Sequence, residues 1–478
     1  MTYNLRVKGN ITNKVGGNTR IYAKEGVERS SNKSIRKFAE NYTYGEPDDP
    51  PSSKRPKENL IGVKVTASLF FDGTKNNRNN TFRRLDKNTQ SKTNNESRVI
   101  YNKTKEEESS YENGYSNIAI LEKMNISNKK NRVVSKYIEG EGTEDDQKGD
   151  SMGFGFGSGS TGIPAKVKKG FNLINIEINS VFNFKKEYVK ELTLNVFGFS
   201  RGAAAARSFL TTTRTKFKNN YPKAEIKYNF VGLFDTVSSY EPKGRFGALG
   251  AAGSHNFDND VTELGLKLNG MAKKVIHLTA ADEYRANFSL TTIDSDIVAG
   301  VGYELQLPGA HSDIGGGYED YPHIEKRRVN RDEKYIKEEW YTKEQLKGDN
   351  NDHDFINFIG TRKLTNSYQF IPLSIMMQFA KKNGITFKSF DNKKEYKNYE
   401  VIPDLQLAKK ELESFALKNE AAITKIATIQ DATELKRLRN KYLHISANAY
   451  SLGMNANYKM AKLHRQIIKD NAKKTKDE

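Results

Sequence analysis

The sequence predicts an α/β fold in which a mostly parallel sheet is covered by helices on both faces. Between Val63 and Tyr318, short apolar strand-like runs alternate with helical patterns, which is typical of a buried parallel sheet. A tight glycine-containing turn also joins one of these strands to an alanine-rich helix. The predicted strands are Val63–Phe71, Arg132–Glu139, Leu192–Phe197, Tyr228–Phe234, Lys274–Ala280 and Asp296–Leu305, with helices over 163–183 and 201–212.

The composition divides the chain into three regions. Residues 1–60 are polar and basic, and we interpret them as a poorly ordered arm. Residues 61–322 hold the predicted α/β domain. Residues 323–478 are charged and predicted to be mainly helical, as a region that packs on or caps that domain, with amphipathic patterns over Ile371–Lys382, Leu405–Ile429 and Ala456–Lys469.

The overall composition excludes several kinds of chemistry. The 478 residues contain no cysteine, so disulfides, thiol nucleophiles and cysteine-bearing zinc sites are excluded. The net charge of +19 allows an anionic partner, either nucleic acid or a phospholipid surface, although Lys-rich composition alone could produce it. Apolar runs such as Ala67–Phe71 are far shorter than the roughly 20 residues of a membrane span. With no signal-peptide pattern at the N-terminus, we expect synthesis in the cytoplasm and, if the protein acts elsewhere, export by a dedicated machine.

The most informative segment is Leu192–Leu210, which contains the pattern G-x-S-x-G at Gly198, Ser200 and Gly202. A buried strand precedes this pattern and a helix follows it, which is the context of a nucleophile elbow. The two glycines leave room for a strained turn, and the helix N-terminus favours developing negative charge. The alternative interpretation is a tight turn whose serine only caps the helix.

A serine nucleophile needs a base and an acid that orients it. His311 lies in a Gly-rich loop after a predicted strand, where it could reach over the sheet edge. Asp235 ends the strand Tyr228–Phe234, and the order Ser200, Asp235, His311 is that of α/β-hydrolases. Asp282 and Asp313 are the alternative acids.

The remaining parts of the predicted site are backbone donors. The N–H of Arg201, which follows the nucleophile, and that of Gly73 or Thr74 after the first strand could form an oxyanion hole. The spacing of His, Asp and Glu residues indicates no metal site, and we expect no cofactor.

Six motifs in order make the chain similar to a known family. They are Phe71–Asn77, Gly140–Thr143, Gly198–Phe209, Gly232–Val237, Asp282–Phe288 and Pro308–Tyr318. With them the chain resembles the catalytic domain of type VI secretion lipase effectors of family one, also known as domain-of-unknown-function family 2235. The resemblance implies an α/β-hydrolase-like fold and phospholipase A activity from a triad of Ser200, Asp235 and His311. It also implies delivery by a spike or tube component of the secretion machine into a neighbouring bacterium, action at that cell's membrane or periplasm, and a cognate immunity protein.

Three functional hypotheses follow. The first is an antibacterial effector that hydrolyses acyl ester bonds of membrane glycerophospholipids, with no nucleic-acid partner. The second is a serine esterase or acyltransferase that acts on a different ester. The third, a basic nucleic-acid-binding protein, explains the charge but none of the motifs.

Overall fold

A seven-stranded sheet organises the computed structural model, which describes residues 60–104, 109–149, 159–240, 260–330, 333–349, 357–418, 423–447, 455–459 and 462–471. The predicted N-terminal arm, except for residue 60, lies outside the described residues. The strands are β1 (Ile61–Phe71), β2 (Val133–Ile138), β3 (Glu187–Phe199), β4 (Glu225–Phe234), β5 (Lys274–Ala280), β6 (Leu290–Thr291), β7 (Gly302–Leu307), β8 (His323–Asn330), β9 (Leu346–Gly348), β10 (Asn357–Leu364), β11 (Thr424–Ile426), β12 (Tyr458–Lys459), β13 (Lys462–Leu463) and β14 (Ile467–Ile468).

Helices connect and cover these strands. The α-helices are α1 (Arg78–Asp86), α2 (Asn94–Thr104), α3 (Asn117–Met124), α4 (Ile163–Asn179), α5 (Arg201–Asn220), α6 (Asp294–Val298), α7 (His311–Gly315), α8 (Lys334–Lys337), α9 (Phe370–Lys382), α10 (Lys394–Lys397), α11 (Gln406–Lys418) and α12 (Ala432–Lys441).

The central sheet has the order β11-β7-β5-β4-β3-β1-β2, and every pairing in it is parallel. Parallel strands buried on both faces need apolar side chains in both directions, as in β1, where Phe70 belongs to one core cluster while Leu69 and Phe71 belong to the other. Helices α3, α9 and α11 pack on the face of the sheet that holds Phe70, and helices α4 and α5 pack on the opposite face. This architecture confirms the predicted α/β class.

The alanine run of α5 explains how closely this helix approaches the sheet. Ala203, Ala204, Ala205 and Ala206 are fully buried in one core cluster, so their small side chains leave no gap between helix and strands. Because α5 begins directly after β3, its N-terminus is fixed at the carboxyl edge of the sheet. That edge is where open α/β sheets place functional groups.

The chain beyond residue 322 has more strands than its sequence pattern predicts. The predicted helix over Ile371–Lys382 is confirmed, but the one over Leu405–Ile429 ends at Lys418 and is followed by β11, which joins the central sheet beside β7. The helix predicted over Ala456–Lys469 is wrong: its described residues hold β12, β13 and β14, and β14 pairs with β6. Tertiary pairing outweighs the helical periodicity there.

One predicted strand also begins later than expected. The run Asp296–Leu305 opens with helix α6, and the strand β7 starts only at Gly302. Gly300 adopts a φ of +79° between the two elements, a left-handed conformation that ends the helix. The described residues from Ile61 onward form one compact unit.

The stacked pair of Phe70 and Phe197 makes a direct test of the sheet core. Their ring centroids lie 4.9 Å apart and both side chains are fully buried. We expect Phe197→Ala to lower the free energy of unfolding by about 3–5 kcal/mol, since it removes a large buried ring. Phe184→Ala, at a position that is 63% exposed, is the matched control and should lower the free energy of unfolding by less than about 1 kcal/mol. Equal losses in urea unfolding would contradict this core assignment.

Candidate active site

The turn between β3 and α5 holds Ser200 in a strained conformation. Its φ of +57° and ψ of −129° lie outside the regions that non-glycine residues favour. A Cβ on Gly198 would lie 2.5 Å from the carbonyl oxygen of Gly202, and one on Gly202 would lie 2.1 Å from the carbonyl oxygen of Asp72. Both positions therefore exclude any larger residue, as a nucleophile elbow requires.

Asp235 follows β4 directly and lies against His311, the first residue of α7. Its Oδ2 atom is 2.5 Å from His311 Nδ1, and both side chains are buried. A proton on Nδ1 donates to the carboxylate, which leaves the Nε2 lone pair available to accept a proton. The alternative acids do not form this contact.

The rival carboxylates have other partners. Asp282 accepts the N–H of Gly309 at 2.9 Å and pairs with Lys334 Nζ at 2.6 Å. Asp313 accepts the N–H of Ala310 at 2.9 Å, and its Oδ1 is 2.7 Å from Nδ1 of a second histidine, His444. Both aspartates thus order the loop that carries His311 without contacting its ring.

Backbone and ring contacts bring Ser200 to the same place as the Asp–His pair. The N–H of Ser200 donates to the carbonyl of Phe234, the residue before Asp235, at 3.0 Å. The ring of Phe199, the residue before Ser200, lies 4.6 Å from the His311 ring. The structure therefore places Ser200, Asp235 and His311 together at the carboxyl edge of the sheet.

The charges around this pair favour the protonation states that a base and its orienting acid need. Burial alone would raise the pKa of Asp235, but the charges and hydrogen bonds of Arg465 and His311 outweigh it and hold that pKa well below its usual value. Burial lowers the pKa of His311, only partly opposed by Asp235. At neutral pH the site therefore holds a carboxylate beside a neutral imidazole.

The loop after β1 packs directly on the elbow. A Cβ on Gly73 would lie 2.5 Å from the ring of Phe199, and the Arg201 side chain donates through Nε to Thr74 Oγ1 at 2.8 Å. The N–H of Gly73 already donates to Asp72 Oδ1 at 2.7 Å. Of the two donors predicted from this loop, Thr74 is thus better suited than Gly73 to act with the N–H of Arg201.

Two buried charged residues near the site were missed by sequence reasoning. Arg465 pairs with Asp235 from 230 positions away, so no local pattern indicates it. Glu141 lies in one of the six motifs, which is a signal, but its side chain could not be placed from the sequence. It is 1% exposed, and its Oε2 atom has no hydrogen-bond partner among the described residues.

Glu141 is close to the candidate oxyanion loop. Its carbonyl accepts the N–H of Lys75 at 3.2 Å, and a Cβ on the preceding Gly140 would lie 1.7 Å from the carbonyl oxygen of Gly73. Burial raises the pKa of Glu141 to about 7, against the opposing charge of Arg201. The loop that faces the elbow is thus backed by a carboxyl group whose pKa lies close to neutral pH.

No group of three or more His, Asp or Glu side chains in the described part of the chain has the arrangement of a metal site. No helix in that part is long and apolar enough to cross a membrane.

One protein family matches part of the chain. Residues 210–334 match the family model "T6SS, Phospholipase effector Tle1-like, catalytic domain". The chain resembles type VI secretion phospholipase effectors. The matched segment contains Asp235 and His311 and begins just after the elbow.

Two solved structures are similar to the chain. The structure described as "Structure of the Tle1 effector bound to the VgrG spike from the Type 6 secretion system" is 22% identical, with a TM-score of 0.54, covering 86% of this chain and 95% of that one. This match establishes a shared fold. An uncharacterized protein from Pseudomonas aeruginosa is 17% identical over 79% of this chain and 53% of its own, with a TM-score of 0.42. No curated protein matches the chain.

The raised pKa of Glu141 makes a prediction about stability and pH. The pKa of Glu141 is about 7 in the folded state, above the ordinary value of 4.5, so the folded state holds the proton more tightly than the unfolded state. The protein therefore loses stability as the pH rises from 4.5 to about 7. Glu141→Gln mimics the neutral form. Between about pH 5 and pH 8, urea unfolding should show the wild type losing about 1–3 kcal/mol more stability than this variant. Glu96→Gln, on the surface, controls for loss of one charge, and identical slopes for wild type and Glu141→Gln would contradict the assignment.

Proposed function

We propose that the protein is an antibacterial type VI secretion effector that hydrolyses acyl ester bonds of membrane glycerophospholipids with a Ser200–His311–Asp235 triad. The observation that carries this proposal is the 2.5 Å contact between buried Asp235 and His311, beside a serine held at φ +57°. The family match over residues 210–334 supports the substrate class.

The proposed reaction has two halves. Ser200 Oγ attacks the acyl carbonyl while His311 Nε2 takes its proton, and the N–H groups of Arg201 and Thr74 donate to the developing oxyanion. His311 then gives the proton to the leaving alcohol of the lysophospholipid, which leaves an acyl-serine. Water, deprotonated by His311, attacks the acyl-serine; its carbon–oxygen bond to Ser200 breaks, His311 returns the proton to Ser200 Oγ, and the fatty acid is released. Asp235 holds the imidazole in the productive tautomer and stabilises its charged form.

The setting of the activity is part of the proposal. The Tle1 effector in the structure with the shared fold is bound to a VgrG spike, and we propose that a spike or tube component likewise carries this protein. The net charge of +19 would attract it to the anionic surface of a target-cell membrane, reached from the periplasm. A cognate immunity protein would protect the producing cell.

Ser200→Ala tests the nucleophile. We expect it to lower fatty acid release from phosphatidylglycerol–phosphatidylethanolamine vesicles by about 10⁴-fold or more, with an unchanged unfolding midpoint. Ser208→Ala, which alters another buried serine of α5, is the matched control and should retain activity. Mass spectrometry of the products identifies the reaction. Cleavage of short-chain esters without fatty acid release from the vesicles would instead support the esterase or acyltransferase hypothesis.

Toxicity tests the biological setting. Directed to the periplasm of a susceptible bacterium by a fused export signal, the wild-type protein should lower viability, and Ser200→Ala should not, because membrane damage depends on acyl hydrolysis. Expression of the same protein in the cytoplasm, compared with its export, shows from which compartment it lowers viability. Full toxicity of the Ser200→Ala protein in the periplasm would contradict the proposal.

A further inference from the structure

Arg465 makes a two-pronged ion pair with the acid of the proposed triad. Its Nη1 atom lies 2.7 Å from Asp235 Oδ1 and its Nη2 atom 2.8 Å from Asp235 Oδ2, while Nε donates to the carbonyl of Phe288 at 2.8 Å. The side chains of Arg465 and Asp235 are 7% and 0% exposed. A buried charge pair of this geometry fixes the plane of the carboxylate.

We infer that Arg465 is a positioning residue for catalysis, and that the C-terminal segment 462–471 completes the active site by supplying it. The inference rests on the proposed function, because it concerns the acid of the same triad. Arg465 does not reach the reacting atoms in this role; it acts through Asp235, whose Oδ2 it shares with His311.

The hydrogen bonds of Asp235 show how Arg465 can position the carboxylate. Oδ1 accepts the N–H of Ala280 at 2.9 Å in addition to Arg465, and Oδ2 accepts from Arg465 and from His311. Arg465 therefore sets the rotation of the carboxyl group and so the direction in which it offers Oδ2 to the imidazole. A lysine keeps the charge but lacks the planar fork.

The residues that follow Arg465 hold the segment in place. Ile467 and Ile468 pair with Leu290 and Thr291 as β14 and β6. Beyond them, Asp470 Oδ2 pairs with the fully buried Arg207 at 2.8 Å, and Asp470 Oδ1 accepts the N–H of Ser295 at 2.8 Å. Because Arg207 belongs to α5, the helix that starts at the elbow, the same segment joins the nucleophile's helix to the acid's carboxylate.

Other charged groups also face the pair. Glu283 accepts the backbone N–H of His311 at 3.2 Å and pairs with Arg285 at 2.8 Å. Burial is the main cause that lowers the pKa of His311; the charge of Arg285 adds to it, and the charge of Glu283 opposes it. His277, paired with Glu304, accepts the N–H of Thr236 beside Asp235. Among the described residues, Arg465 is the one permanently charged cation in contact with the Asp235 carboxylate, since His311 is neutral at neutral pH.

The charge of Arg465 has a predictable effect on the pH profile. The guanidinium offsets the negative charge of Asp235 that would otherwise stabilise a protonated His311. Without the guanidinium, the imidazolium form of His311 becomes more stable and the pKa of His311 rises. The acid limb of kcat/KM, which reports the base in the free enzyme, should then move to higher pH.

The test compares Arg465→Gln and Arg465→Lys in the full chain. For Arg465→Gln we expect kcat to fall about 10- to 100-fold with little change in KM, as when an outer partner of an active-site group is lost, and the acid limb to move to higher pH. Arg465→Lys should recover part of kcat and place the acid limb near that of the wild type. Arg362→Gln is the matched control, since Arg362 is also buried and pairs with Glu325, which is not a member of the triad.

A second measurement separates this inference from the proposed function. The rate at which a fluorophosphonate probe labels the serine, measured against pH, needs no phospholipid. If the wild type is labelled but releases no fatty acid, the proposed substrate fails while the labelling rates still test Arg465. If both Arg465 variants fold and match the wild type in labelling rate and pH profile, the inference is overturned. If Arg465→Gln does not fold, a wild-type kcat for a folded Arg465→Lys protein, which lacks the fork, overturns it as well.

Discussion

The buried carboxylate of Asp235 is the constraint on which the rest of the site depends. An ionised group with no exposure to water is tolerated only where charges and hydrogen bonds replace its hydration. Here the replacements come from three separate parts of the chain: β5 through the N–H of Ala280, α7 through His311, and the C-terminal segment through Arg465. These elements must all dock before the carboxylate is satisfied, so folding and assembly of the site are coupled.

The second constraint is space at the elbow. The turn at Ser200 can form only because Gly198 and Gly202 leave room for their neighbours, and the loop after β1 then fills the remaining volume against Phe199 and Arg201. The backbone strain at Ser200 is offset by the close-packed sheet and helix on either side. As the proposed nucleophile, a serine held in this way needs little reorganisation to reach the carbonyl of the proposed substrate.

Much of the fold and part of the site could be predicted from the sequence, because local sequence patterns determine them. The strand β5 has the predicted bounds, and the G-x-S-x-G turn lies between a strand and a helix as expected. The C-terminal segment 462–471 could not be predicted in this way. The segment around Ile467 has helical periodicity, but its pairing with Leu290 depends on a partner far away in the chain. The same distance conceals the contact of Arg465 with Asp235, which no motif in a single sequence records.

The most direct test of the central claim is to locate the nucleophile chemically. The full-length protein would be treated with a fluorophosphonate at neutral pH, digested, and analysed by mass spectrometry of its peptides. We expect a single adduct on Ser200, formed faster by the wild type than by the Asp235→Asn variant. An adduct on another residue, or none on a folded protein, would contradict the assignment of Ser200, His311 and Asp235 as a catalytic unit.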